Sequence, residues 1–241
     1  MKISNIKIVK DNITTIKQIR NNVKSGDIIL TNSEKIGLTY YEDLNKLMDR
    51  KTSLSLYKYI VKKIANSNIL QREKGTISIA GSYPSGKLMS KDLDILIFTD
   101  KYDLPASKTI PKKILTDISS LFTLDELKIY QIGNTKLLGI IIYKNIARHV
   151  DIRLLPSKSK VAGELYFTSG RDFNIMIRHY ASSRGYLLNE YGLFNRKTNK
   201  FIKLDNEEEL FDKIGLSYIP LYDRRIDIFN NNNYFFFLIN N

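Results

Sequence analysis

The sequence predicts an α+β chain, a mixed β-sheet carrying helices followed by a smaller α/β unit, with a short helical region in front. Three observations predict it. Apolar residues alternate at period two through the starts of Asp92–Phe98 and Ala147–Leu155, as in strands with unlike faces. Through Thr52–Asn66 the apolar residues instead recur at helical spacing. The chain then changes character after Pro156, where helix and turn signals replace the strand pattern. The expected divisions are 1–50, 51–156, 157–225 and a low-complexity tail, 226–241.

In order, Thr14–Val23 is a weakly amphipathic helix stopped by the turn Ser25-Gly26-Asp27. Thr52–Asn66 is a helix because Leu56, Ile60 and Ile64 make a stripe that Leu54, Tyr57 and Val61 widen. Thr76–Ala80 is a short strand running into the turn Gly81-Ser82, and Asp92–Phe98 is the next strand. Pro105–Phe122 suits a helix buried through Ile114, Ile118 and Leu121. Lys128–Ile132 and Lys136–Tyr143 flank Gly133-Asn134, a hairpin signal. In the second half, Arg171–Arg184 reads as a helix ended by Gly185. A hairpin of Tyr186–Phe194 with Lys200–Leu204 follows. Asp205, with Glu208 three residues on, is the expected cap of a short helix that Gly215 closes. The tail, with Asn230–Asn233 and Tyr234-Phe235-Phe236-Phe237, is expected to be frayed or sticky.

A hydrophobic content of 43% and 241 residues suffice for a core and exclude a disordered chain. The net charge of +13 favours a polyanionic partner, held more weakly as salt rises. The absence of cysteine excludes disulfides and thiolate metal sites. No apolar run reaches membrane-spanning length, and Met1-Lys2-Ile3-Ser4-Asn5 has no signal-peptide core. The expectation is an intracellular monomer, nuclear, cytoplasmic or in a viral factory, with no membrane partner.

The chemistry concentrates in Gly81-Ser82-Tyr83-Pro84-Ser85-Gly86-Lys87-Leu88-Met89-Ser90-Lys91-Asp92-Leu93-Asp94. A strand turns residues i and i+2 to one face, so Asp92 and Asp94 converge while Leu93, Ile95 and Ile97 face the other way. Read alone, the pair is either solvated at a strand end or a site for a divalent cation. A polyphosphate substrate and oxygen ligands suit Mg²⁺ best. The Gly81-Ser82 turn offers N–H groups and a hydroxyl for phosphates. Gly81 to Lys87 matches the start of a P-loop, but Leu88 stands where the Mg²⁺-binding Ser or Thr belongs and a strand follows in place of a helix, so that reading fails. Alternation in His149-Val150-Asp151-Ile152-Arg153-Leu154-Leu155-Pro156 puts Asp151 and Arg153 on one face. They are either a surface ion pair or a third carboxylate that completes a two-metal clamp with its neighbour.

Gly-Ser, a gap and Asp-x-Asp on a strand resemble the nucleotidyltransferase superfamily. The later segments narrow it: Asp151-Ile152-Arg153-Leu154-Leu155-Pro156, Leu165-Tyr166-Phe167-Thr168-Ser169-Gly170, Phe173-Asn174, Arg178, Asn189-Glu190-Tyr191-Gly192-Leu193-Phe194 and Ile214-Gly215-Leu216-Ser217-Tyr218-Ile219-Pro220. In that order the chain resembles DNA polymerase family X over roughly residues 31–225.

The resemblance implies a nucleotidyltransferase palm, a mixed sheet with helices on one face, and a small C-terminal subdomain that senses the nucleotide pair. It implies a polymerase that adds deoxynucleotides to a primer 3′-hydroxyl on gapped or primer–template DNA, with two Mg²⁺ (or Mn²⁺) ions, in short-gap repair. Asp92, Asp94 and Asp151 become the metal-binding catalytic triad. Gly81, Ser82, Ser90, Ser169 and Gly170 become nucleotide-binding, as do Tyr166 and Phe167, the steric gate against a 2′-hydroxyl, and Asn174 on the minor-groove edge of the incoming nucleotide. Arg153, Arg178, Lys87 and Lys91 become DNA-binding. From the residues alone, Tyr166 and Phe167 are equally plain core aromatics, and Asn174 with Arg178 a polar helix face.

The departures matter too. Pro84 and Ser85 stand where the family usually places arginines, so the triphosphate grip is weaker unless Lys87 or Lys91 substitutes. Thr168-Ser169-Gly170 replaces Thr-Gly-Ser, His149 replaces an arginine beside Asp151, and Arg171 stands where a shorter residue is common, ready to stack on a base. The family's small lyase domain has no counterpart, and its helix-hairpin-helix is at most a remnant at Thr14–Thr31, so no lyase activity is expected. Two alternatives stay open, template-independent terminal addition and a non-catalytic DNA-end binder.

Overall fold

The computed structural model describes residues 13–101 and 109–224. Three helices come first: α1 (Ile16–Ser25), α2 (Asn32–Thr39) and α3 (Tyr41–Leu44). Thr15 with Gln18 and Thr31 with Glu34 form capping boxes that start α1 and α2, and Gly26 ends α1 in the left-handed conformation its turn requires. There follow β1 (Met48–Asp49), α4 (Arg50–Ala65), α5 (Ile69–Arg72), β2 (Thr76–Ile79), β3 (Met89–Ser90), β4 (Asp92–Thr99), α6 (Thr109–Ser119), β5 (Leu127–Ile132), β6 (Lys136–Tyr143) and β7 (Ile146–Pro156). The start of the expected Pro105–Phe122 helix and the tail fall outside the described residues, as do residues 1–12 of the frontal region.

The main sheet has the order β2-β4-β7-β6-β5, with β4 and β7 parallel and the other neighbours antiparallel. One face is closed by α4 and α6. Leu56, Ile60 and Ile64 have no exposed surface there and pack against Leu93, Ile95, Ile97, Ile152 and Leu154. Burying each of the three is worth about 2 kcal/mol. Among the described residues the other face is covered at its two ends. Leu44, Ile36 and Tyr40 cover Ile140 and Ala147 at one, and Phe167 and Tyr191 cover Ala80, Leu96, Phe98 and Leu155 at the other. Between those covers lies a strip of sheet bearing polar side chains.

A 3₁₀ turn at Ser157–Ser159 leads into the second core, built from α7 (Lys160–Thr168), α8 (Arg171–Ser183), β8 (Tyr186–Asn189), β9 (Gly192–Asn195), β10 (Phe201–Ile202) and α9 (Glu207–Ile214), before a last 3₁₀ turn, Leu221–Arg224. Leu165, Phe173, Ile177, Leu193, Leu210 and Phe211 fill it. Two expectations are corrected here. Tyr186–Phe194 is not one strand. Glu190-Tyr191 turn the chain, Gly192 takes φ +152, and β8, β9 and β10 form a three-stranded meander. The cap of α9 is Asn206, whose side chain accepts from Glu209 N–H at 2.8 Å, and not Asp205, whose own N–H donates to the Glu209 carboxylate. Gly185 and Gly215 end their helices at positive φ as expected.

Candidate active site

The strip of open sheet holds the three carboxylates. In the parallel register of β4 and β7, Asp94 lies opposite Asp151 and Asp92 opposite His149. Parallel pairing keeps partners on one face, so Asp92, Asp94, His149, Asp151 and Arg153 all project between the two covers. Burial, then the charges of Asp92 and Asp151, push Asp94 up to about 7, against the pull of Arg153. Burial raises Asp151 as well, opposed by Arg153. The Arg153 guanidinium approaches Asp151 with Nε 3.1 Å from Oδ1, and its Nη2 donates to Oδ2 at 3.4 Å. The Nε–H is not aimed at the oxygen, so buried Oδ1 of Asp151 accepts no hydrogen bond. Burial also holds His149 below its ordinary range, which leaves its imidazole neutral at pH 7.

Gly81 fixes the position of Asp94. It sits at φ +64, and a Cβ there would lie 1.9 Å from Asp94 Oδ2. Only glycine lets the turn press its backbone against that carboxylate. Gly81 N–H donates to Phe167 O at 2.8 Å, which fastens the turn to the end of α7.

Two cavities flank Asp94. One, of about 440 Å³, is lined by Asp92, Asp94, Asp151, His149, Tyr130 and Ser33. The other, of about 310 Å³, runs between Gly81, Ser82, Ser85 and Lys87 on one wall and Phe167, Thr168, Ser169, Gly170, Leu221 and Arg224 on the other. The first gathers negative charge. The second gathers N–H groups, hydroxyls and cations, the surroundings a phosphate chain requires.

The remaining expected residues are placed as follows. Lys87 reaches the second cavity, but Lys91 instead lines a third one with Ile16, Ile19 and Tyr41. Ser90 lines none of these three cavities, because β3 pairs with β1 and the Ser90 hydroxyl sits 3.2 Å from that of Ser53. Tyr166 and Phe167 meet edge to face at 4.9 Å, with Arg178 over the first ring at 5.7 Å and Arg153 over the second at 5.5 Å. Asn174 spends its amide hydrogens on the carbonyls of Tyr166, Ser169 and Gly170, at 2.9–3.2 Å. That pins the Thr168-Ser169-Gly170 turn and leaves Asn174 only its buried, unpaired Oδ1 to offer a ligand, not donor and acceptor together. Ser169 Oγ accepts from Arg224. Arg171 opens α8 and is exposed.

Sequence reasoning missed Arg50. It stacks on the Tyr83 ring at 4.1 Å, and its Nη1 donates to Tyr83 O at 2.7 Å and Lys87 O at 3.1 Å. A cation from the start of α4 thus braces the loop where Pro84 and Ser85 supply none. Nothing local in the sequence signals it, since the contact spans more than thirty residues.

Among the described residues no three acidic, His or Cys side chains converge as a ready-made cation cage, because Asp151 is turned toward Arg153. The donor set nevertheless fits a hard divalent cation: carboxylate oxygens only, mutually repelling, with Asp151 Oδ1 buried and unsatisfied.

Paired carboxylates on adjacent parallel strands, with a Gly-Ser turn pressed against one of them, define the class as a nucleotidyltransferase palm with a small α/β subdomain behind it. The comparisons with known proteins agree. The family model for the DNA polymerase beta thumb matches residues 164–225. A DNA nucleotidylexotransferase from Xenopus laevis is 28% identical over 253 residues, covering 87% of this chain and 47% of that protein. The repair DNA polymerase X of African swine fever virus is 26% identical, over 64% of this chain and 83% of the viral one. The ternary primer–template complex of Leishmania infantum polymerase beta superposes with a TM-score of 0.76 at 26% identity, covering 90% of each chain. In sequence and in fold the chain resembles DNA polymerase family X. It spans about half the length of the Xenopus relative.

Proposed function

We propose that this chain is a DNA polymerase that extends a primer 3′-hydroxyl by one deoxynucleotide at a time on gapped or primer–template DNA, in short-gap repair. One observation carries the reading: Asp94 and Asp151 stand opposite each other on the sheet face between the two covers, with Gly81 backbone pressed on Asp94. Two like charges held at that separation, one of them raised to about 7, are costly without a cationic partner. A bound pair of Mg²⁺ or Mn²⁺ ions supplies that charge and lowers the pKa of an attacking hydroxyl.

The two cavities divide the substrates. The carboxylate cavity takes the primer end and the Gly81–Lys87 cavity takes the triphosphate, which Ser82, Lys87 and the loop N–H groups hold while Arg50 keeps the loop in shape. The primer oxygen bonds to the α-phosphorus as the bond to the β-phosphate oxygen breaks. Pyrophosphate departs through the loop cavity, and the hydroxyl proton passes to the Asp151 carboxylate, which burial makes more basic. Tyr166 and Phe167 wall the sugar, and Arg178 faces the template strand. The charge of +13 supports a nucleic-acid partner. Primer extension on a one-nucleotide gapped duplex, with each deoxynucleotide in turn and with or without Mg²⁺, tests this. Mg²⁺-dependent insertion opposite the templating base is expected, and failure to incorporate any nucleotide refutes it. The likeness to the Xenopus nucleotidylexotransferase favours a second reading, terminal addition without a template. Incorporation that ignores the template base in the same assay selects it.

A further inference from the structure

Tyr130 enters the carboxylate cavity from an irregularity in the sheet. Pairing between β5 and β6 skips it: Ile129 lies opposite Gly139 and Gln131 opposite Leu138, so Tyr130 is the extra residue of a β-bulge. A Cβ at Gly139 would come within 2.6 Å of Lys128 O, so glycine there admits the bulged strand. Bulges re-aim side chains, and this one sends Tyr130 over the sheet into the lining of the carboxylate cavity, its ring 5.9 Å from that of His149. Its hydroxyl is shielded from solvent and pairs with no protein group. An unmet buried hydroxyl is costly, and phenylalanine would fill the same space without that cost. Asp151, which lines the same cavity, has its buried Oδ1 without a hydrogen bond, the Arg153 Nε lying 3.1 Å away but not aimed at it.

An unpaired donor and an unpaired acceptor on one cavity suit a group that both donates and accepts. The polymerase reading seats the primer end in this cavity, so the group of the DNA strand that meets these two atoms is the terminal 3′-hydroxyl. Resting on the polymerase reading above, we infer that the Tyr130 hydroxyl donates a hydrogen bond to the primer's terminal 3′-oxygen, whose own hydrogen turns toward Asp151. The contact tightens as the strand end seats and displaces the side chains that cover both atoms.

The test pairs Tyr130→Phe with primers ending in a 3′-hydroxyl or in a dideoxynucleotide. The variant should melt at or above the wild-type temperature, because it loses an unmet hydroxyl. It should bind the hydroxyl-ended primer about fivefold more weakly and the dideoxy-ended primer as wild type does. Its kcat should fall about tenfold with the deoxynucleotide KM unchanged. Equal weakening on both primers, or no change on either, overturns the inference. So does a lowered melting temperature with parallel losses on both, the mark of a structural role. If wild-type protein inserts no nucleotide, the polymerase reading falls and this contact falls with it. If wild type inserts and Tyr130→Phe matches it, only the contact is lost.

Discussion

Asp94 and Arg224 are both charges withdrawn from water, and their surroundings treat them in opposite ways. Arg224 is 1% exposed and almost fully satisfied. It donates to Glu207 at 2.5 Å, Ile219 O at 2.8 Å and Ser169 Oγ at 3.3 Å, and the rings of Phe173, Phe211 and Tyr218 surround it at 5.3–5.6 Å. Asp94 has two carboxylates for company and a glycine against its oxygen. The first charge knits the C-terminal core together. The second is held at a cost of about 4 kcal/mol, the equivalent of its shift from 3.8 to about 7. A fold tolerates that cost where a ligand removes it, so the unsatisfied charge marks the site and the satisfied one marks the scaffold.

The contrast can be broken experimentally. Asp94→Asn should lower nucleotide incorporation by about a thousandfold in single-turnover assays, yet raise the melting temperature when divalent cations are removed. A fall in both would make Asp94 structural. The wild-type protein without cations should lose stability as pH rises from about 4 to about 7. Native Asp94 keeps its proton up to about 7, whereas the unfolded chain gives it up near 3.8. In Asp94→Asn the slope over that window should become shallower, with Asp151 and Glu164, both raised by burial, supplying what remains. Gly81→Ala should reduce incorporation by about a hundredfold, because its Cβ drives Asp94 away from the loop. Arg224→Met should cost about 3 kcal/mol in denaturant unfolding, while the molecules that remain folded keep their Mg²⁺ dependence. Smallest, Asn206→Ala should cost about 1 kcal/mol and Asp205→Ala less, with incorporation unchanged in both.

Much of this architecture is legible in the chain itself. Alternation in Asp92–Phe98 and Ala147–Leu155 fixes which side chains share a face, and that is enough to bring Asp92, Asp94 and Asp151 together. What alternation cannot convey is contact across distance. Arg50 reaches the Gly81–Lys87 loop and Ser90 turns to Ser53 only because β1 pairs with β3. Helix α7 escaped notice because Ala162, Gly163 and Leu165 are buried around much of it, which blurs the apolar stripe. The bulge at Tyr130 is invisible locally, since Leu127–Ile132 reads as an ordinary strand until its partner is known. The Asn206 cap was missed by one residue, within the ambiguity of an Asp-Asn pair before three glutamates.

The parallel seam between β4 and β7 has a consequence for how the molecule is made. Parallel neighbours need a long crossover, and here the crossover carries α6 and the whole β5–β6 hairpin. The acidic pocket therefore cannot exist in a nascent chain until β7 has emerged and slotted between β4 and β6. That non-local step is slow, and a prematurely terminated product is an inert fragment with no weakened fraction of the activity.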